Sequence, residues 1–339
     1  MTTQQSGSGI RFGLVLQAVD SPDEFTRNVR EVEDGGFSYL WMTDSSLHAR
    51  NPYVYLALAA TLSRNLFLGT AVTHPHARHP AISLSAVATI DELSGGRAIY
   101  GLGTGDRPVT ELGLRPARVR VVRETVEVTR RLLAGETLTW QGEAFSLHNA
   151  ELRYGRRADL PIFLAASGAR MLKLTGEIAD GGLILAGLFP KSVRFVQEQV
   201  AEGAAIAGRD PSMVDLFLML YGTVDTDRRH AIEQSRTMAA WFCQTAPHFL
   251  EMANFSPELV KKVQAAYTGG EFHHAREAAR LCPDEMVEMF TLAGTPDDAV
   301  ARIRGLVALG VRAFNFFPIG RDRWGAIRLF MQRVIPQFR

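Results

Sequence analysis

Residues 69–105 read GTAVTHPHARHPAISLSAVATIDELSGGRAIYGLGTG. The stretch divides into a strand, a polar loop holding Pro75 and Pro80, a helix, and a second strand ending in glycines at 101, 103 and 105. Two strand C-termini, both open to close backbone approach, thus lie one βα unit apart. In parallel α/β proteins, ligands sit at such ends.

The same alternation extends in both directions. Upstream, strands are expected at 10–16 and about 38–43, with a helix between them that starts at an S-x-x-E capping box, Ser21 with Glu24, and stops at Gly35-Gly36. Strand 3 is expected at 66–72 and strand 4 at 97–102. The pattern then breaks: a helix near 119–134 runs into LTWQGEAFSL (138–147), a hairpin turning at Gln141-Gly142. Strands 5, 6 and 7 are expected at 162–165, 182–186 and 213–222. Residues 228–290 carry helical patterning and the aromatics Trp241, Phe242, Phe249, Phe255, Tyr267 and Phe272, which read as the core of a helical insertion. Thr295 with Pro296 and Asp298 opens the next helix, strand 8 covers 311–317, and a closing helix covers 324–337. Eight βα units with insertions after strands 4 and 7 make a (β/α)8 TIM barrel the best fit, as one domain over 1–339; a doubly wound sheet has the same periodicity.

Composition narrows the function classes. The 37 basic and 36 acidic residues nearly cancel, so no charge imbalance favours nucleic acid or an anionic membrane. No apolar run approaches the ~20 residues of a membrane span, and the N-terminus lacks a basic-plus-apolar signal. Cys243 and Cys282 form neither a disulfide framework nor a metal spacing. A reduced cytoplasmic enzyme acting on a small molecule fits.

Four clusters offer chemistry. Gly101-x-Gly103-x-Gly105 is not a dinucleotide fingerprint, because position 106 is Asp106 and no helix is expected to open behind it. It marks either a tight strand exit or a backbone lined against a flat ring, with Thr104 and Asp106 supplying polar atoms; Asp106 is an acid or a turn cap. Ala165-Ala166-Ser167-Gly168 precedes a helix whose free N–H groups suit a phosphate, or is a short turn capped by Ser167. His74, His76 and His79 fall in a proline-broken loop without a completing Cys or carboxylate, so no metal is expected there; ligand orientation or solvation is the reading. Asp44 ends strand 2, either bonding a ligand or capping a turn. His273-His274 and Arg228-Arg229-His230 read as exposed helix surface.

At these residues the chain resembles the luciferase-like superfamily of flavin- and deazaflavin-dependent (β/α)8 enzymes. The R-H-P after strand 3, ATIDELSGGRA and GLGTGD are similar to the coenzyme F420-dependent methylenetetrahydromethanopterin reductases. GETLTWQGEAF, PIFLAASGARMLKLTGEIADGGLI and AGTPDDAVARI extend the likeness over nearly the whole chain. The resemblance implies coenzyme F420, with FMN as the alternative, at the C-terminal mouth of the barrel, a hydride transfer to or from a small organic substrate, and a homodimer. It implies a non-prolyl cis peptide at Ala71-Val72 against the ring. It further implies ring contacts at Asp44, Thr73, Thr104 and Gly105, a phosphate loop at Ala165, Ala166, Ser167 and Gly168, and proton transfer by Asp106 or His74. Two positions depart from the relatives: Val15 stands where the reductases place Glu, and Ser45 where the related sugar-phosphate dehydrogenases place His. An FMN monooxygenase and a catalytically silent cofactor-binding homologue are the rival readings.

Overall fold

The protein is described by a computed structural model covering residues 9–45, 47–267 and 275–339; Phe272 and His273-His274 lie outside the described residues. The chain runs β1 (Arg11–Leu16), α1 (Pro22–Asp34), β2 (Tyr39–Met42), α2 (Pro52–Leu62), β3 (Phe67–Thr70), α3 (Pro80–Ser94) and β4 (Ala98–Leu102). The first excursion carries α4 (Arg107–Thr110), α5 (Val119–Leu133) and the hairpin β5 (Leu138–Gln141) and β6 (Ser146–Ala150). Next come β7 (Ile162–Ala166), α6 (Ala169–Ile178), β8 (Gly181–Ile184), α7 (Pro190–Ile206) and β9 (Asp215–Gly222). A helical excursion, α8 (Arg228–Thr245), α9 (Pro247–Met252), α10 (Pro257–Ala266), α11 (Arg276–Ala279) and α12 (Asp284–Phe290), precedes α13 (Pro296–Ala308), β10 (Ala313–Pro318) and α14 (Arg323–Leu329).

Eight strands hydrogen-bond in the closed order β1-β10-β9-β8-β7-β4-β3-β2, so the (β/α)8 barrel expected from the periodicity is present, with both insertions where the pattern broke. Contacts group the chain into two compact units: one of Gly13–Leu183 with Val200–Asp215, the other of Gly9–Phe12, Ile184–Gln199 and Leu216–Arg339.

In the first unit, caps set the helix starts. Ser21 and Glu24 form the capping box of α1, and His79 opens α3, its ring nitrogen accepting from Ala81 N–H at 3.2 Å. Trp41 is fully buried, its ring 5.7 Å from Phe163 and 6.1 Å from Tyr39. Truncating such a side chain costs roughly 3–5 kcal/mol. At the strands' N-terminal end, buried Asp91 of α3 accepts Arg157 Nε (2.7 Å) and Nη2 (2.9 Å), and Ala98 N–H (3.0 Å). Arg97 spends its guanidinium on Ser94 O, Leu66 O, Ser63 Oγ and the carbonyls of Ala60 and Ser63. The conspicuous ATIDELSGGRA run is therefore a clamp between α3, β4 and the end of α2.

In the second unit, Phe316 stacks on Phe330 at 4.5 Å, and Phe242 and Phe249 are fully buried within the excursion. Those two aromatics are core, as their helical spacing suggested, and Phe242 meets Phe290 at 5.0 Å.

Three expectations are corrected. Strand 3 stops at Thr70 rather than at 72: Ala71 N–H still reaches Met42 O at 2.8 Å, and the Ala71-Val72 peptide that follows is cis. A one-turn helix, α4, does open behind Asp106. The closing helix is not continuous: after Leu329 it widens into a π turn (Phe330–Val334) and tightens into a 3₁₀ turn (Ile335–Phe338). Pro336 has no N–H for an α-helical bond, and the carbonyl before it must go elsewhere.

Candidate active site

The site is assembled by the C-terminal ends of β2, β3, β4 and β7, all in the first unit. Beyond the cis bond at Ala71-Val72, Thr73 rejoins β4: its N–H donates to Gly101 O at 3.0 Å, and Gly103 N–H donates to Thr73 O at 2.9 Å. The three glycines of β4 keep step with this segment. A Cβ at Gly101 would fall 1.8 Å from Thr70 O and at Gly103 2.6 Å from Val72 Cγ2; at Gly105, where φ is +81°, it would fall 2.3 Å from Val109 Cγ2 and 3.3 Å from the His74 ring. Period two matches period two. Gly101 and Gly103 thus first make room for residues 70 and 72 of the neighbouring segment, while Gly105 accommodates Val109 of α4 and a positive φ.

That packing presses a polar network together. Asp44, buried at the end of β2, accepts Thr73 Oγ1 at 2.8 Å and pairs with Arg78 through the same oxygen, Oδ2. Tyr53 of α2 donates its hydroxyl to Thr73 Oγ1 at 3.1 Å, and the Arg78 guanidinium lies 5.2 Å over the Tyr53 ring. Asp44 is neither a simple turn cap nor saturated: Oδ1 is buried without a partner among the described residues. His74 follows Thr73 and is 3% exposed, and among the described residues neither ring nitrogen has a well-formed hydrogen bond, the Asp44 backbone lying near enough to act on the ring. Burial holds the imidazole below its ordinary pKa, with Asp44 pulling upward and Arg78 pushing down again. His74 is accordingly neutral near pH 7.

The other two loop histidines are committed to structure. His79 Nδ1 accepts from Ala81 N–H, which leaves Nε2 as the donor to Ser146 O at 3.0 Å in the hairpin. His76 Nδ1 bonds Arg115 O at 2.6 Å. The H-x-H-x-x-H spacing is dispersed into three roles, and no group of potential metal ligands occurs among the described residues.

Asp106 occupies the N-cap position of α4 without a side-chain capping bond. Its side chain reaches solvent, yet the surrounding protein raises its pKa, opposed by Arg107 and His74. Solvent access together with dense surroundings describes a carboxyl in a concave rim. Thr104 and Gly105 lead into it, and Thr104 O accepts Ala117 N–H at 2.7 Å.

On β7, Ala165 and Ala166 lead to Ser167 and Gly168. Gly168, not Ser167, is the N-cap of α6, with extended φ −84° and ψ 154° and no side-chain capping bond. Met171 and Leu172 N–H donate to Gly168 O, while those of Ala169 and Arg170 have no described acceptor. Nothing lies within 4 Å of a Cβ built at Gly168. An anion has both donors and room there.

An unspent carboxylate oxygen, an unspent imidazole and an uncapped helix start fit a planar polar ring with an anionic tail. Tyr53 and Arg78 went unread in the sequence, because only strand order brings α2 and the loop after β3 onto Asp44. The one local hint was an arginine inside a proline-broken loop.

Comparison with known proteins gives the family. The chain is 34% identical over 338 residues to 5,10-methylenetetrahydromethanopterin reductase of Archaeoglobus fulgidus, covering 97% of this chain and 100% of that one. It is 27% identical to an F420-dependent glucose-6-phosphate dehydrogenase of Nakamurella multipartita, covering 97% of each. The solved coenzyme F420-dependent tetrahydromethanopterin reductase of Methanopyrus kandleri superposes with a TM-score of 0.85 at 31% identity, over 98% of this chain and 100% of that one. Residues 3–313 match the family described as luciferase-like monooxygenase, and the chain belongs to that family.

Proposed function

We propose that the chain is a coenzyme F420-dependent oxidoreductase that moves a hydride between the deazaflavin ring and a small organic substrate. The observation carrying this reading is the unspent polar cluster of Asp44 Oδ1 and both His74 ring nitrogens, buried beside the cis Ala71-Val72 segment. The F420 dependence of relatives that match along nearly the full chain supports it. When bound, the deazaflavin supplies a carbon centre that gives or takes a hydride.

Asp44, Ala71, Val72, Thr73, Thr104 and Gly105 would hold the ring, and Ala165, Ala166, Ser167 and Gly168 the phosphate-bearing tail. Tyr53 and Arg78 fix Thr73 and Asp44 so that Oδ1 stays directed at the ligand rather than spent within the fold. Val15, fully buried in β1, and Ser45 offer neither a carboxylate nor an imidazole, so proton transfer falls to the residues around Asp106. The raised pKa of Asp106 keeps a proton on its carboxyl to higher pH than an ordinary aspartate, which suits a general acid. His74, neutral, both accepts and donates at the ligand.

Titrating the purified protein with F420 and with FMN side by side tests the reading. Saturable quenching of F420 fluorescence, with FMN bound at least tenfold more weakly, is expected. Tighter binding of FMN, with oxygen consumed when it is reduced, would replace the proposal by a flavin monooxygenase.

A further inference from the structure

The second unit contains a cavity of about 470 Å³, a volume typical of small-molecule pockets. One wall is a face of α13, where Arg302, Gly305, Leu306 and Leu309 recur at helical spacing; Leu188 and Pro190 stand opposite. None of the residues assigned to the cofactor lines it. Two features set this cavity apart from an accidental groove.

The first is Arg302. Its guanidinium is half-buried in the wall and makes one described hydrogen bond, from Nη1 to Leu188 O at 3.3 Å. Among the described residues it pairs with no carboxylate. The two acids of the same lining act on Arg302 only through space: Glu288 pairs with Arg228 at 2.5 Å, and Asp298 with Arg228 at 3.4 Å while also capping α13 through Thr295. Most donors of the Arg302 fork are therefore available to an oxyanion.

The second is Gly305. Glycine is among the poorest helix formers, yet it stands within α13 with ordinary helical neighbours. A Cβ at this position would meet nothing within 4 Å, so no contact in the chain requires its absence. Gly305 is exposed and is part of the cavity lining, so a large side chain there would narrow the cavity.

We propose that this cavity binds a small amphiphilic carboxylate, its apolar body against Leu188, Pro190, Leu306 and Leu309 and its carboxylate on the Arg302 fork. The proposal is independent of the cofactor assignment.

The test is calorimetric titration of the full-length protein with hexanoate, and with hexan-1-ol as the uncharged match. Saturable binding of hexanoate, with hexanol at least tenfold weaker, is expected. Arg302→Gln should lose at least tenfold in hexanoate affinity. Gly305→Leu should abolish binding while its melting temperature stays at or above that of the wild type, which separates a filled site from a damaged fold. No saturable hexanoate binding by the wild type overturns the proposal, as does unchanged affinity in either variant.

Discussion

Two buried aspartates in the first unit each pair with an arginine, and they differ in one atom. Asp91 has both carboxylate oxygens occupied, Oδ1 by Ala98 N–H and Arg157 Nη2, Oδ2 by Arg157 Nε. Asp44 loads Arg78 and Thr73 onto Oδ2 and leaves Oδ1 bare. A buried acceptor without a partner costs on the order of 1–3 kcal/mol, so a fold with no use for it would lose it. The saturated pair closes the strands' N-terminal end, and the unsaturated one lies at the C-terminal end where barrels act on ligands. Saturation separates scaffold from site where residue type and burial do not.

Four measurements would break or sharpen that contrast. Asp91→Ala strips Arg157 and Ala98 N–H of their acceptor and is expected to cost about 3 kcal/mol, read as a lowered melting temperature, with F420 affinity of the folded protein unchanged. Next in size, Asp44→Asn should weaken F420 binding about 10- to 100-fold while destabilising less than Asp91→Ala. Equal F420 affinity in the wild type and Asp44→Asn would make both aspartates scaffold and erase the distinction. Gly168→Asp introduces a charge into open space at unstrained φ, so melting should be unaltered while F420 affinity falls about tenfold; Gly168→Ala should match the wild type in both readouts.

The smallest effect concerns pH. His74 has a lowered native pKa against about 6.5 in the unfolded chain, so between those values the unfolded state binds more protons. Stability should then fall as pH drops below about 6.5, by no more than about 1.4 kcal/mol per pH unit, and level off once the native ring protonates. In His74→Gln that component of the slope should vanish, as chemical denaturation across pH 5–7 would reveal.

Much of this was legible in the chain itself. Capping boxes at Ser21 and Thr295 marked true helix starts, since their bonds are local and survive any tertiary context. The barrel followed from regular alternation, and the places where alternation failed were the two excursions. Ends of elements were less legible. The apolar run through Val72 reads as strand because hydrophobicity records burial, not ladder pairing. Residues 324–337 read as one helix because their burial period survives a change of winding at Pro336. Asp44, His74 and Asp106 were candidates by type and position, yet their condition depends on burial and on Tyr53 and Arg78, which the fold brings to Thr73 and Asp44. Glycines 101, 103 and 105 invited a ligand reading, and the structure shows that Thr70, Val72 and Val109 claim that space first.

The hairpin of the first excursion is more than an appendage. Through Ser146 O it grips His79, and Arg115 O grips His76, so the segment carrying His74 is bolted at two points to chain lying outside the barrel's repeating units. The stiffness of the reactive rim is thereby delegated to decoration. Remodelling β5-β6 would loosen the hold on the segment that carries His74 without touching a single barrel strand.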